Sequence, residues 1–301
     1  MTNILVAGSA VVDFVFMLDE MPRQPEKYRA REAAIVGGGC AANAAVAIAR
    51  LGGRPQLAVV LGDDQVGEMI VTGLESEGVD CHAVRRVPGH RSSFSSVFID
   101  AGGERQIVNY RDRELAETDA YLPEIGDMEF GAVLSDTRWP IVAAHVMSEA
   151  RRRGVPGILD AEAPVALARE ALELSTHIAF SAQGLREYAG AEDLEQGLRI
   201  ASERTGAFIC VTDGAEGVFP LDGERPVNTP AFPVKAVDTL GAGDAWPGAF
   251  ALALVEGRVA AEALRFAISC AARKSHEPGG RARTPPRSVA YTFPHGLAHC
   301  T

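Results

Sequence analysis

The amino-acid sequence predicts an α/β fold in which a largely parallel sheet carries helices on both faces. Three observations point there. Short apolar runs of strand length alternate with longer segments of helical period along most of the chain. Glycines follow two of the helical segments, at Gly52-Gly53 and Gly154, where a stop is needed. A chain of 301 residues that is 47% apolar can bury one large core, and α/β folds of this length are often one domain.

The elements follow in order. Residues 4–7 read as a first strand; Asp13 interrupts the apolar stretch and no basic leader precedes it, so a signal peptide is not expected. Residues 11–16 and 28–36 read as short strands joined by a turn. An Ala-rich helix over 41–51 is stopped by Gly52-Gly53, and a strand at 57–61 and a helix at 66–77 come next. A second strand pair spans 92–99 and 105–110, with Ala101-Gly102-Gly103 as its hairpin signal. The alternation then resumes, with strands at 132–134, 157–159, 178–180 and 208–211. Helices are expected at 141–153 (stopped by Gly154), 165–174, 194–205, 245–255 and 260–274. The segment 282–301, rich in Pro, Arg, His and Gly, has no helical period and is expected to be a loosely ordered tail. The organisation expected is a single domain over 1–301, with the two strand pairs, about 11–36 and 91–111, inserted in it. On their own these pairs read equally well as ordinary edge hairpins.

A formal net charge of −11 argues against nucleic acid or an anionic membrane as partner. Any bound phosphate must then be held by local devices against an adverse overall field. The five cysteines (Cys40, Cys81, Cys210, Cys270 and Cys300) include no C-x-x-C pair, which predicts a reduced, cytoplasmic protein rather than a disulfide framework or a zinc site. No uninterrupted apolar run approaches membrane-spanning length.

The most informative stretch is Val237-Asp238-Thr239-Leu240-Gly241-Ala242-Gly243-Asp244, placed just before a helical pattern. The glycines let main-chain N–H groups approach a ligand, and the helix start favours a phosphate or a developing anion. Asp244 at the same turn can take a proton from an attacking hydroxyl. Anion cradle and general base together suit phosphoryl transfer to an alcohol. The same pattern also fits a plain helix start with an acidic cap. A second glycine turn, Gly37-Gly38-Gly39-Cys40-Ala41-Ala42-Asn43, opens the Ala-rich helix.

These two motifs, in this order, resemble the signatures of the ribokinase-like (PfkB) carbohydrate kinases, over nearly the whole chain to about residue 280. The resemblance implies a ribokinase-like three-layer α/β/α fold and a small β-sheet lid over the sugar, often also used to dimerise. It implies ATP and Mg²⁺ as cofactors, the ion being held through phosphates and water rather than by dedicated protein ligands. Asp244 would be the catalytic base, with the N–H groups of Gly241, Ala242 and Gly243 as anion hole. Asp13, Gly38, Gly39 and Asn43 would meet the sugar; by residue type alone Asp13 and Asn43 are equally good loop or cap residues. Ser181, Thr212, Gly214, Gly217, Ala272 and Gly279 would line the ATP site, although Asp213-Gly214 read alone is also a hairpin signal.

Within that family the chain resembles the bacterial sulfofructose kinases, through Glu26-Lys27-Tyr28, Ser92-Ser93, Gly103-Glu104-Arg105 with Asn109-Tyr110, Asp136-x-Arg138-Trp139 and Pro278-Gly279-Gly280-Arg281-Ala282. That resemblance implies that Lys27, Asn109 and Arg138 hold a sulfonate, so that the substrate is 6-deoxy-6-sulfofructose, phosphorylated at its C1 hydroxyl. An arginine fork suits a sulfonate, phosphate or carboxylate, whereas many relatives carry a carboxylate or small polar residue at this position. A fructokinase, ribokinase or phosphosugar kinase is the alternative, and a non-catalytic sugar or nucleotide sensor a further one. Two departures stand out. The N-x-x-E motif of many relatives is replaced by Ser181 and Gly184, and Trp246-Pro247 stands where Phe-x is usual, placing a proline beyond the first helical turn.

Overall fold

The computed structural model describes residues 2–117, 119–120, 122, 124–223, 225–232 and 242–275. In chain order its strands are β1 (Asn3–Ala7), β2 (Val11–Met17), β3 (Glu32–Gly38), β4 (Arg54–Ala58), β5 (Val60–Gly62), β6 (Arg85–Val87), β7 (Phe94–Ile99), β8 (Arg105–Tyr110), β9 (Ala132–Asp136), β10 (Gly157–Ala161), β11 (His177–Ser181), β12 (Phe208–Thr212), β13 (Val218–Asp222) and β14 (Arg225–Pro226). The α-helices are α1 (Cys40–Arg50), α2 (Gln65–Glu75), α3 (Arg113–Glu117), α4 (Pro140–Arg153), α5 (Arg169–Leu174), α6 (Ala182–Ala189), α7 (Leu194–Thr205), α8 (Ala242–Val255) and α9 (Ala260–Ser275).

An eight-stranded sheet has the order β14-β13-β12-β11-β10-β9-β1-β4. Its pairings from β4 to β12 are parallel, and β13 and β14 close one edge antiparallel. Strand alternation divides each central strand between two cores. Ile4 and Val6 of β1 pack with α1, α8 and α9, while Leu5 and Ala7 pack with α4, α6 and α7 on the other face. This is the three-layer arrangement expected. Of the predicted stops, Gly154 is the left-handed cap of α4 and Gly52, just after α1, has a φ of 84°. Gly190 and Gly206, which the sequence reading did not single out, cap α6 and α7 in the same left-handed way.

The two predicted strand pairs join into one four-stranded sheet, β3-β2-β7-β8, through parallel pairing of β2 with β7. Asp13, Ser95 and Asn109 fall in one row across it. Strand β8 is exposed along its whole length at the sheet's edge.

Several elements differ from expectation. The single strand at 57–61 is two: β4 ends where its partner β1 ends, and β5 turns away to pair with β6. The helix at 165–174 is a 3₁₀ turn, Ala166–Ala168, followed by the short α5. Helix α6, unexpected from the sequence, is held by its ends, Ser181 accepting from the Gly184 N–H and Gly190 as its left-handed cap. The tail at 282–301 lies outside the described residues.

Candidate active site

In an open parallel sheet, ligands bind beyond the carboxyl ends of the strands. Here those ends carry Gly8 and Ser9 (β1), Asp136 to Arg138 (β9), Asp160 and Glu162 (β10), Ser181 (β11) and Thr212 (β12).

Asp136 organises one side of this edge. Its Oδ2 accepts from the Ser9 N–H (2.8 Å), the Ser9 hydroxyl (2.9 Å) and the Ala41 N–H at the start of α1 (3.1 Å), and Ser9 Oγ accepts from the Cys40 N–H at 3.1 Å. The glycines before α1 are required by space. A Cβ on Gly39, whose φ is 94°, would lie 2.5 Å from the Ser9 carbonyl oxygen, and one on Gly38 would lie 2.4 Å from Asp13 Oδ2. Gly8, with φ of 143°, leaves room for the Asp136 carboxylate in the same way.

Asp244 stands in the first turn of α8, only partly exposed. Gly248, one turn on, lets α8 lie against α1: a Cβ there would be 2.6 Å from the Ala44 carbonyl oxygen. That approach lets the Asn43 amide donate to Asp244 Oδ2 at 2.7 Å, and the Cys40 thiol also donates to Asp244. Burial pushes the Asp244 carboxyl above its ordinary range; the Asn43 hydrogen bond opposes this and the Glu162 charge adds to it. A carboxylate poised nearer neutrality is a better proton acceptor at physiological pH. Burial and the Asp244 charge push the Cys40 thiol well up, so it stays an S–H donor. Burial, with the charges of Glu162, Asp244 and Asp136, also raises Asp160 well above its usual value. Asn43 is 8% exposed, and its Oδ1 is buried without a protein partner among the described residues, an acceptor a ligand hydroxyl can satisfy.

A cleft of about 350 Å³ opens beside this cluster, lined by Gly39, Cys40, Ser93, Asn109, Arg111 and Arg138 among others. Asn109 donates to Ser95 Oγ at 3.1 Å. Arg138 is anchored from behind: its N–H reaches Asp136 Oδ1 (2.8 Å), Nη1 the Ala163 carbonyl (3.0 Å) and Nη2 Glu162 Oε2 (2.9 Å). Arg111 donates to the Arg138 carbonyl. The structure thus brings Gly39, Asn109 and Arg138 to one cleft and sets Asp13 against Gly38 next to it. Lys27 lies exposed in the connection from β2 to β3 and does not line the cleft. Sequence reasoning missed Arg111, Asp160 and Glu162. The only signal for the last two was their position just after a predicted strand.

On the nucleotide side, Ser181 and Thr212 are register partners at the ends of β11 and β12. Thr212 Oγ1 donates to the Phe180 carbonyl at 3.3 Å, and Ser181 caps α6. Gly214 and Gly217 take φ of 50° and 104°, and a Cβ on Gly217 would sit 2.4 Å from the Thr229 carbonyl oxygen. Ala272 lies near the end of α9. Gly241 and Gly279 lie outside the described residues, while Ala242 and Gly243 begin α8. At the Ser181/Gly184 departure there is no room for a side chain: a Cβ on Gly184 would be 2.3 Å from the Ala161 carbonyl oxygen, so a glutamate there would require the end of β10 to shift. Pro247 leaves the carbonyl four residues back, that of Gly243, without its helical donor.

Comparison with known proteins identifies the family. The family model described as pfkB family carbohydrate kinase matches residues 1–286. The ribokinase of Bacillus subtilis (strain 168) is 30% identical over 292 residues, 96% of this chain and 98% of that protein. A crystal structure from Agrobacterium tumefaciens, assigned as a ribokinase, superposes with a TM-score of 0.90 at 36% identity, covering 96% of each chain. Arabidopsis thaliana ribokinase complexed with ribose and ATP gives 0.82 at 27% identity, over 96% of this chain and 97% of that one. The chain belongs to the pfkB family of carbohydrate kinases, enzymes that transfer a phosphoryl group to a hydroxyl.

Proposed function

We propose that this protein transfers the γ-phosphoryl group of ATP to a primary hydroxyl of a ketose bearing an anionic group, with the C1 hydroxyl of 6-deoxy-6-sulfofructose as acceptor. The observation that carries the phosphoryl-transfer reading is Asp244 at the N-terminus of α8, held by the Asn43 amide at 2.7 Å. The sugar lies in the cleft between the small sheet and the sheet edge, with Asp13, Gly38, Gly39 and Asn43 around its hydroxyls and Asn109 and Arg138 at its anionic end. Lys27 joins them only if its connection folds over the cleft. Asp244 takes the hydroxyl proton as the new O–P bond forms and the bond to the ADP oxygen breaks. Main-chain N–H groups of Gly241, Ala242 and Gly243 face the transferred group. ATP lies along Ser181, Thr212, Gly214 and Gly217, with Ala272 and Gly279 on the adenine side.

The hard oxygen donors Asp160 and Glu162, at the end of β10, are of the type that would meet Mg²⁺, with phosphates and water completing its shell. Bound there, Mg²⁺ supplies neutralisation of phosphate charge. The four-stranded sheet serves as lid and as the face of a homodimer, supported by the exposure of Ile107 (57%) and Val108 (61%) on β8. Cys40, Cys210 and Cys270, which form no disulfide among the described residues, suit a reducing cytoplasm. Among the described residues no helix is long and apolar enough to cross a membrane.

The relatives' ribokinase activity favours a second reading, a neutral pentose or hexose as acceptor. A coupled ADP-release assay over a panel of sugars decides between them. Arg138→Ala is expected to reduce kcat/KM for sulfofructose at least tenfold more than for fructose. Equal losses on both sugars refute the anionic assignment.

A further inference from the structure

Arg138 offers five N–H donors. The loop after β10 takes two of them, one through Glu162 Oε2 at 2.9 Å and one through the Ala163 carbonyl at 3.0 Å. The loop is itself pinned, Thr137 Oγ1 donating to the Glu162 carbonyl at 2.9 Å. The guanidinium is therefore fixed in plane, with three N–H groups that no described protein atom takes. Its charge is compensated as well as its orientation. Glu162 cancels it at contact distance, and Asp136, Asp160 and Asp244 lie close enough to influence the same cluster. Arg111 adds one positive charge at the cleft and Asp112 one negative. The cleft thus presents directed donors with little net positive charge.

We propose that Glu162 is a specificity-determining residue that makes this cleft select a singly charged anion, a sulfonate or carboxylate, over a phosphate dianion. The proposal rests on the reading of Arg138 as the anion contact. Three donors on a rigid fork satisfy the oxygens of either group equally well by geometry. A sulfonate carries one negative charge at every physiological pH, whereas a phosphate monoester carries up to two, its second proton leaving near pH 6. The second charge finds no further cation in the described lining of the cleft besides Arg111, because Glu162 already holds half of the Arg138 fork. It also faces a carboxylate across that fork, in a partly enclosed site where such repulsion is poorly screened.

The test compares kcat/KM for 6-deoxy-6-sulfofructose, fructose 6-phosphate and fructose in the wild type, Glu162→Gln and Arg138→Ala. It is combined with calorimetric binding of the two anionic sugars. Glu162→Gln keeps the shape and one acceptor for Arg138 while removing the charge, and Glu162 is 40% exposed, so the fold tolerates it. The expected result is a rise of about tenfold in the fructose 6-phosphate to sulfofructose ratio, the size of one close charge removed. Taking the ratio cancels any common effect of Glu162 on Asp244. In the wild type, fructose 6-phosphate should also bind more tightly as pH falls through 6 while sulfofructose does not, and Glu162→Gln should flatten that difference. A ratio unchanged within twofold in Glu162→Gln, with Arg138→Ala still selectively losing sulfofructose, overturns the role of Glu162 and leaves the anionic reading intact. If Arg138→Ala loses all three sugars alike, the anionic reading fails and this inference falls with it.

Discussion

Replacing Asn43 by Ala removes the 2.7 Å hydrogen bond to the Asp244 carboxylate and nothing else that reaches that group. A hydrogen bond to a charged acceptor contributes about 1.5–3 kcal/mol, so losing its orienting effect should lower kcat by about 10- to 150-fold. The bond favours the ionised carboxylate against the burial and the Glu162 charge that disfavour it. Without it the Asp244 carboxyl moves further up, and the acid limb of the kcat profile moves to higher pH, because the base must be ionised to act. Stability should change less than for a typical buried polar deletion, because Asn43 Oδ1 is a buried acceptor with no described partner and its removal relieves that cost. Asn43→Asp sets carboxylate against carboxylate and should be worse than Ala. Steady-state kinetics from pH 5 to 9, with thermal unfolding as the folding control, checks these outcomes. A folded Asn43→Ala enzyme with kcat within twofold of wild type and an unmoved acid limb refutes the orientation argument.

Gly8→Ala should destabilise the protein by about 2–5 kcal/mol in denaturant unfolding, because the new Cβ falls 2.4 Å from Asp136 Oδ2 at a φ of 143°; a loss under about 0.5 kcal/mol would contradict the packing. His177, between Phe208 and Phe250, has its pKa lowered by burial from 6.5 to about 4. The unfolded chain therefore binds the proton first, and stability should fall as pH drops from 6.5 toward 4, by about 3 kcal/mol at most. His177→Phe should remove that part of the acid sensitivity in urea midpoints, and identical pH dependence in both proteins would count against it. If the lid forms the dimer, Val108→Glu should halve the mass seen by light scattering; an unchanged dimer rules out that face.

The order of strands and helices was legible because the periodicities are strong and the caps are glycines at the required positions. Asp244, Asn43 and the glycine turn before α1 were legible because turn chemistry is local. What was not legible is what the sheet brings together from afar. Glu162 meets Arg138 only because β9 and β10 are neighbours in register, which spacing along the chain does not encode. Helix α6 was hidden by Gly184, a poor helix former that the packing against the Ala161 carbonyl requires. The split of the strand at 57–61 depended on where its partner ended. Lys27 matched a motif but stands in an exposed connection, since a motif match gives no direction to a side chain.

Single-turnover phosphoryl transfer by Asp244→Asn, with ATP and sugar affinities measured alongside, addresses the proton acceptor itself. The substitution keeps the size of the side chain at the start of α8 and leaves the Asn43 amide a carbonyl to meet. Affinities should be retained while transfer falls by about 10²–10⁴, the range for loss of a general base. Transfer within a few-fold of wild type would mean that the proton goes elsewhere and that Asp244 is not the base.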